Sequence, residues 1–159
     1  MIRRLLMLWA CCAGLAQAEG IAVIDVEAVL AASNQAQTAR AQWQQALAPI
    51  EQDIARFVQQ GQQAEDELLA ATSDSQRQDL RRRLDELRQQ VRSLQQQAQG
   101  QLTELENAFL AEQLPILERL VIELADENQV DLVVRAEAVV WGLASVNLSD
   151  DLLARYNQP

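Results

Sequence analysis

The chain has no lysine and no histidine, and its only two cysteines, Cys11 and Cys12, stand side by side near the start. Without histidine there is no side chain that ordinarily titrates near neutrality and no imidazole for a metal. Beyond residue 12 there is no thiol nucleophile, no thiolate ligand and no disulfide framework. The few glycines, five in all, form no phosphate-cradling loop. Carboxylates are plentiful, but they fall on Gln-rich helical stretches, where no burial tunes a pKa for acid–base work. No catalytic residue, metal ligand or cofactor is expected, and an enzyme is the reading these absences exclude.

Cations are scarce as well. All thirteen are arginine, against 23 carboxylates, for a formal charge of −10. So acidic a chain is a poor partner for nucleic acid or an anionic lipid surface, both of which are won by clustered cations.

The first eighteen residues read as a secretory leader. Arg3 and Arg4 form a basic start, Leu5 to Ala16 an apolar stretch, and Ala16-Gln17-Ala18 a small-x-small cleavage pattern. The apolar stretch is shorter than the roughly 20 residues a membrane helix needs. A lipoprotein site at Leu8-Trp9-Ala10-Cys11 is the weaker alternative, because Trp sits badly before a lipidated cysteine. Cleavage after Ala18 predicts an exported protein without any thiol, its charge shifted from −10 to −12 by the loss of two arginines.

After the leader, Ile21 to Val26 (IAVIDV) is a short β-branched run and predicts a strand. Glu27 to Ala32 predicts a helical turn or two, and Ser33-Asn34 offers cap chemistry for a longer helix. From Trp43 the apolar positions run Leu47, Ile50, Ile54, Phe57, Gly61, Ala64 and Leu68, alternating four and three apart as in a coiled-coil seam. The pattern stops at Thr72-Ser73-Asp74-Ser75, where Ser73 and Ser75 each stand three residues before a glutamine as possible capping boxes. A second seam then follows Leu80, Leu84, Leu87, Val91, Leu94 and Ala98. It resumes one step late through Leu102, Leu105 and Phe109, and continues along Leu110, Leu114, Leu117, Val121 and Leu124. The expected architecture is an antiparallel helical hairpin, residues 35–128 with its tip near 72–75, on a small β body made of residues 19–34 and 129–159. The fold class is therefore α+β, mostly α. The apolar and aromatic seam residues are expected to be core.

Folding the hairpin at 73–74 pairs position i with 147 − i. That sets Glu65-Asp66-Glu67 across from Arg81-Arg82-Arg83, and Pro49 across from Ala98, two residues before Gly100. A stutter in the seam at 94–98–102 falls at the same level. Pro49, Ala98 and Gly100 therefore mark an expected hinge, since proline removes a helical hydrogen bond and glycine weakens a helix by about 1 kcal/mol.

Past Asn128, VDLVV reads as a second strand, Arg135-Ala136-Glu137 as a tight turn, Ala138 to Trp141 (AVVW) as a third strand, and Gly142 to Asn147 as a loop. Ser149 is the expected cap of a last short helix, with Asp150 and Asp151 in its first turn. Asn147-Leu148-Ser149 matches a glycosylation acceptor but has this cap reading too.

Taken together, Ile21-Ala22-Val23-Ile24-Asp25, Asp131-Leu132-Val133-Val134, Ala136-x-Ala138-Val139 and Leu148-Ser149-Asp150-Asp151-Leu152-Leu153 resemble the OmpH/Skp family of periplasmic chaperones. The resemblance covers the whole chain after the leader. It implies a homotrimer joined through the β body, with Ile21, Val23, Ile24, Leu132, Val133, Val134, Val139, Val140 and Trp141 as the association residues. It also implies an ATP-independent holdase whose arms enclose unfolded outer-membrane proteins and keep them from aggregating. The chain departs from the family in charge. The familiar member is strongly basic, so lipopolysaccharide binding does not carry over; the one local excess of cations is Arg77 to Arg92. No client-contact residue is carried over. A structural or adaptor coiled coil of the cell envelope, with no client, fits the hairpin equally well.

Overall fold

Gln, Ala, Leu, Glu and Arg dominate residues 34–127, and all are good helix formers. In the computed structural model, which describes residues 20–142 and 146–158, they form two long helices. The order is β1 (Gly20–Ile24), α1 (Val26–Ala32), α2 (Asn34–Ala70), α3 (Asp74–Glu127), β2 (Val130–Arg135), a 3-10 turn (Ala136–Ala138) and α4 (Ser149–Tyr156). At about 1.5 Å per residue, α2 and α3 extend roughly 56 and 81 Å. The leader lies outside the described residues.

The arm is the antiparallel pair α2 and α3. Every seam position from Trp43 to Leu68 is buried or half-buried, as are those from Leu80 to Phe109. Trp43 meets Phe109 edge to face, with ring centroids 5.8 Å apart. Just beyond Phe109 the predicted seam breaks, to resume at Leu117, Val121 and Leu124. Leu110 and Leu114 turn outward, and Gln113 takes the buried position between them. The polar seam residue is tolerated because its Oε1 accepts a 2.6 Å hydrogen bond from the buried Tyr156 hydroxyl.

The register differs from the expected one. Trp43 with Phe109 and Glu65 with Arg88 place position i near 152 − i. The cause is at the tip, where the first turn of α3 folds over the end of α2. Arg77 Nε donates to the Ala71 carbonyl at 3.1 Å, satisfying an end-of-helix acceptor. Pro49 thus lies across from about residue 103 rather than Ala98. Gly100 is about 4.5 Å further along the arm and Ala98 about 7.5 Å. Both helices run unbroken through this region. Pro115, which the periodicity reading passed over, also sits inside α3.

At the base, β1 and β2 pair in parallel, Ile21 opposite Leu132, Ala22 opposite Val133, Val23 opposite Val134 and Ile24 opposite Arg135. Parallel strands need a long crossover connection. Here that connection is the entire arm, so the body cannot close until the hairpin has brought its ends together. Ala22, Ile24, Val29, Leu117, Leu124, Leu148, Leu152 and Tyr156 form the buried cluster that holds strands, arm base and α4. Gly20 is the start of β1 because a Cβ there would lie 2.9 Å from the Gln129 carbonyl oxygen. Gln129 itself turns the chain from α3 into β2 with φ at 55°.

Four local expectations are corrected. Residues 138–141 do not form a third strand. Val23 instead pairs with Asn147, and its carbonyl accepts from Leu148 N at 3.0 Å, so β1 is flanked on both sides. Arg135 to Ala138 lacks the glycine or asparagine that a tight hairpin turn requires, and Ala136–Ala138 winds into 3-10 instead. Ser149 does not cap α4. Asn147 Oδ1 accepts from Ser149 N, while Ser149 Oγ accepts from Asp25 N, each at 2.9 Å. Ser73 precedes α3 without a capping bond, its hydroxyl engaged with Ser75. Ser33, by contrast, is a buried cap whose Oγ accepts from Ala36 N at 3.0 Å.

Candidate association surface

Alternation along two short strands divides the sheet into unlike faces. On the inner face Ala22 and Ile24 are both 1% exposed, and half-buried Val133 packs on the same cluster. On the outer face the register partners Ile21 and Leu132 are 52% and 53% exposed. Half-buried Val23 and Val134 continue that face. Just past the 3-10 turn, Val140 is fully exposed and Trp141 is 81% exposed. Val139 is extended but unpaired.

Of the nine residues assigned to association, four therefore lie on one uncovered face of the sheet: Ile21, Val23, Leu132 and Val134. Val139, Val140 and Trp141 follow β2 as an extended apolar segment. Ile24 does not belong to that face; it sits in the subunit's own core, and Val133 is turned the same way. Beside β2, an open groove of about 540 Å³ runs along α3, lined by Leu114, Leu117, Val121, Val133 and Val134, with Arg135 at its edge. Exposed Leu110, Leu114 and Ile122 add to the apolar surface of α3 at this end.

The frame behind this surface is polar and long-range. Asn34 N donates to Asn157 Oδ1 at 2.9 Å, and Gln35 Nε2 donates to the Tyr156 carbonyl at 2.8 Å. Arg155 donates to both carboxylate oxygens of Glu127. That hydrogen bond holds the Glu127 carboxyl below its usual range and raises Arg155. Burial pushes the Tyr156 hydroxyl above its ordinary value, and the nearby Glu112 charge pushes the same way, against a lowering contact with Ser33. Gln113 and Tyr156 were not singled out from the sequence. A glutamine inside an apolar run was the available signal.

Among the described residues no cluster of three or more metal-ligating side chains occurs, and no helix is long and apolar enough to cross a membrane.

A long helical hairpin closes a small parallel sheet, one face of which is apolar and exposed among the described residues. The family model for outer membrane protein (OmpH-like) matches residues 20–156, and the chain belongs to that family. The family is one of periplasmic chaperones for outer-membrane proteins. No individually curated protein matches the chain.

Proposed function

We propose that the protein is an ATP-independent holdase that works as a homotrimer in the periplasm after loss of residues 1–18. Residues 19–34 and 129–159 form the association body in this reading, and residues 35–128 the arm. The observation that carries it is the uncovered outer face of the β1–β2 sheet, continued by Val140 and Trp141. A two-stranded sheet is marginal alone, and three copies of this face supply the missing partners. Three arms hung from such a body enclose a space open at the tips. Unfolded outer-membrane proteins are held there by many weak contacts, each raising the effective concentration for the next. Capture by arginine clusters over the whole arm, and binding of lipopolysaccharide, form no part of this reading, because the chain is acidic.

The test is solution mass and aggregation assay on the mature chain. The expected result is a particle of three subunits that suppresses aggregation of a urea-diluted outer-membrane porin near one trimer per client. A monomer, or no suppression at several-fold excess, overturns it. Trimers without suppression would leave the envelope adaptor as the function.

A further inference from the structure

Arg81, Asp85, Arg88 and Arg92 recur at four, three and four residues and so share one face of α3. Across from them on α2 stand Val58, Gln62, Glu65 and Leu69, spaced likewise. Between the two rows run two adjoining depressions of about 380 and 530 Å³, which share Glu65, Leu84 and Arg88. The Glu65–Arg88 pair, 3.1 Å apart, divides them.

The two halves repeat one arrangement. Toward the tip, Leu69 is 86% exposed and lines its depression together with Arg81. Toward the base, Val58 is 45% exposed and lines the other together with Arg92. Neither Arg81 nor Arg92 forms an ion pair among the described residues, whereas Arg77, Arg82, Arg83 and Arg88 all do. Each half therefore offers an exposed aliphatic side chain beside a guanidinium that is in no ion pair among the described residues; the carboxylates that line the depressions, Glu65 and Asp85, are both paired with Arg88. Gly61 keeps the floor of the depression toward the base open, since a Cβ there would meet nothing within 4 Å.

We infer that this face of the outer arm is a peptide-docking strip with two matched subsites, each taking a carboxylate beside an apolar side chain. Arg81 and Arg92 are about 16 Å apart along α3, which an extended chain spans in about five residues. Because side chains alternate along an extended chain, the occupant is an unfolded segment with two acidic residues six apart, so that both face the arm, and an aliphatic or aromatic side chain two positions from each. The aliphatic partner on the arm excludes water from the ion pair, and two weak sites joined by one chain bind more tightly than either. The strip deepens the holdase reading by naming what the arm recognises.

The test uses the full mature protein and a labelled, end-capped twelve-residue peptide with glutamates six apart and a leucine two positions from each. Its counterpart carries lysine in place of glutamate. Fluorescence anisotropy should show the acidic peptide binding about tenfold more tightly than the basic one, an advantage that shrinks with added salt. R81E/R92E should lose about that factor, and G61L should weaken the acidic peptide by filling the floor. R40E, on exposed Arg40 near the base of α2, should change nothing. Equal binding of both peptides, or R81E/R92E with wild-type affinity and unchanged helix content, overturns the strip. The porin assay separates the two readings. Suppression by R81E/R92E equal to wild type, with no acidic preference, removes the strip and keeps the holdase. Acidic-peptide binding with no suppression keeps the strip and removes the holdase.

Discussion

Body and arm hold together by different means. In the body, residues more than 120 positions apart are fastened by hydrogen bonds: Asp25 to Ser149, Asn34 to Asn157, Gln35 to Tyr156. Behind them lies a cluster in which Leu152 is wholly buried and Leu117 and Leu124 nearly so. In the arm, the helices are linked across by the ion pairs Arg88–Glu65 and Arg83–Glu67, whose side chains are all more than half exposed. Such pairs contribute about 0–1 kcal/mol each. The arm's core is a single seam, and much of its stability is helical propensity along Gln- and Ala-rich turns. The difference teaches that the body fixes a unique shape while the arm keeps its surface open and its contacts interchangeable, which suits the proposed role of holding unlike clients.

The comparison breaks first if the body can be loosened without consequence for the whole chain. Leu152→Ala removes a fully buried side chain where α4 packs on α1 and on the arm base. The expected loss is about 2–5 kcal/mol. The loss should abolish the association proposed for the body while leaving most of the helical signal of the arm. Circular dichroism and solution mass on the same sample read both. A variant that lost mass and helix together would show that arm and body form one cooperative unit.

Tyr156 sharpens the same contrast through its hydroxyl. Phenylalanine there leaves Gln113 Oε1 buried without its donor, for an expected cost of about 1–3 kcal/mol. The pH dependence has a definite sign. Burial raises the folded-state pKa above the ordinary 10.0, so the neutral phenol is favoured by folding. That contribution is fully present below pH 10 and is lost as pH rises from there through the raised folded value. Denaturant titrations from pH 8 upward should show wild type losing stability above pH 10, and Tyr156→Phe losing less across the same window.

Much of the arm could be read from the sequence, because a coiled-coil seam is a local signal repeated many times. Helix ends at 70 and 74 fell within two residues of those expected, and Trp43 to Leu68 all came out on the covered side. Register was not legible, since Arg77 over the end of α2 is a side-chain contact that no periodicity records. The body was legible only in outline. Its strands were apparent as β-branched runs, but their partners depend on residues far along the chain. Residues 138–141 have strand composition yet pair with no strand among the described residues, while Asn147, which reads as loop, is the one that pairs with β1. Likewise Gln113 carries no apolar signal, yet Tyr156, 43 residues later, makes it a core residue. The two-subsite strip escaped for a similar reason: Arg81 and Arg92 stand out only once the carboxylates around them are seen to pair with other arginines.

The smallest expected effect falls within the arm itself, at the level of Pro49 and Gly100. Pro49 deprives α2 of one helical donor. Gly100 weakens α3 by about 1 kcal/mol relative to alanine, and it lies about one turn from the level of Pro49. An arm that bends should open there first, and Gly100→Ala tests this cleanly because the added methyl meets no neighbour within 4 Å. In the wild-type chain, hydrogen exchange should be faster at amides 46–52 and 97–102 than in the flanking turns. In Gly100→Ala it should slow by about fivefold over 97–102, as a gain near 1 kcal/mol in local opening implies, while amides of β1, β2 and α4 keep their rates. Even protection along the arm in the wild type would remove the hinge. Slowing that spread into the body would mean instead that the arm's opening and the body's are coupled, against the contrast drawn between them.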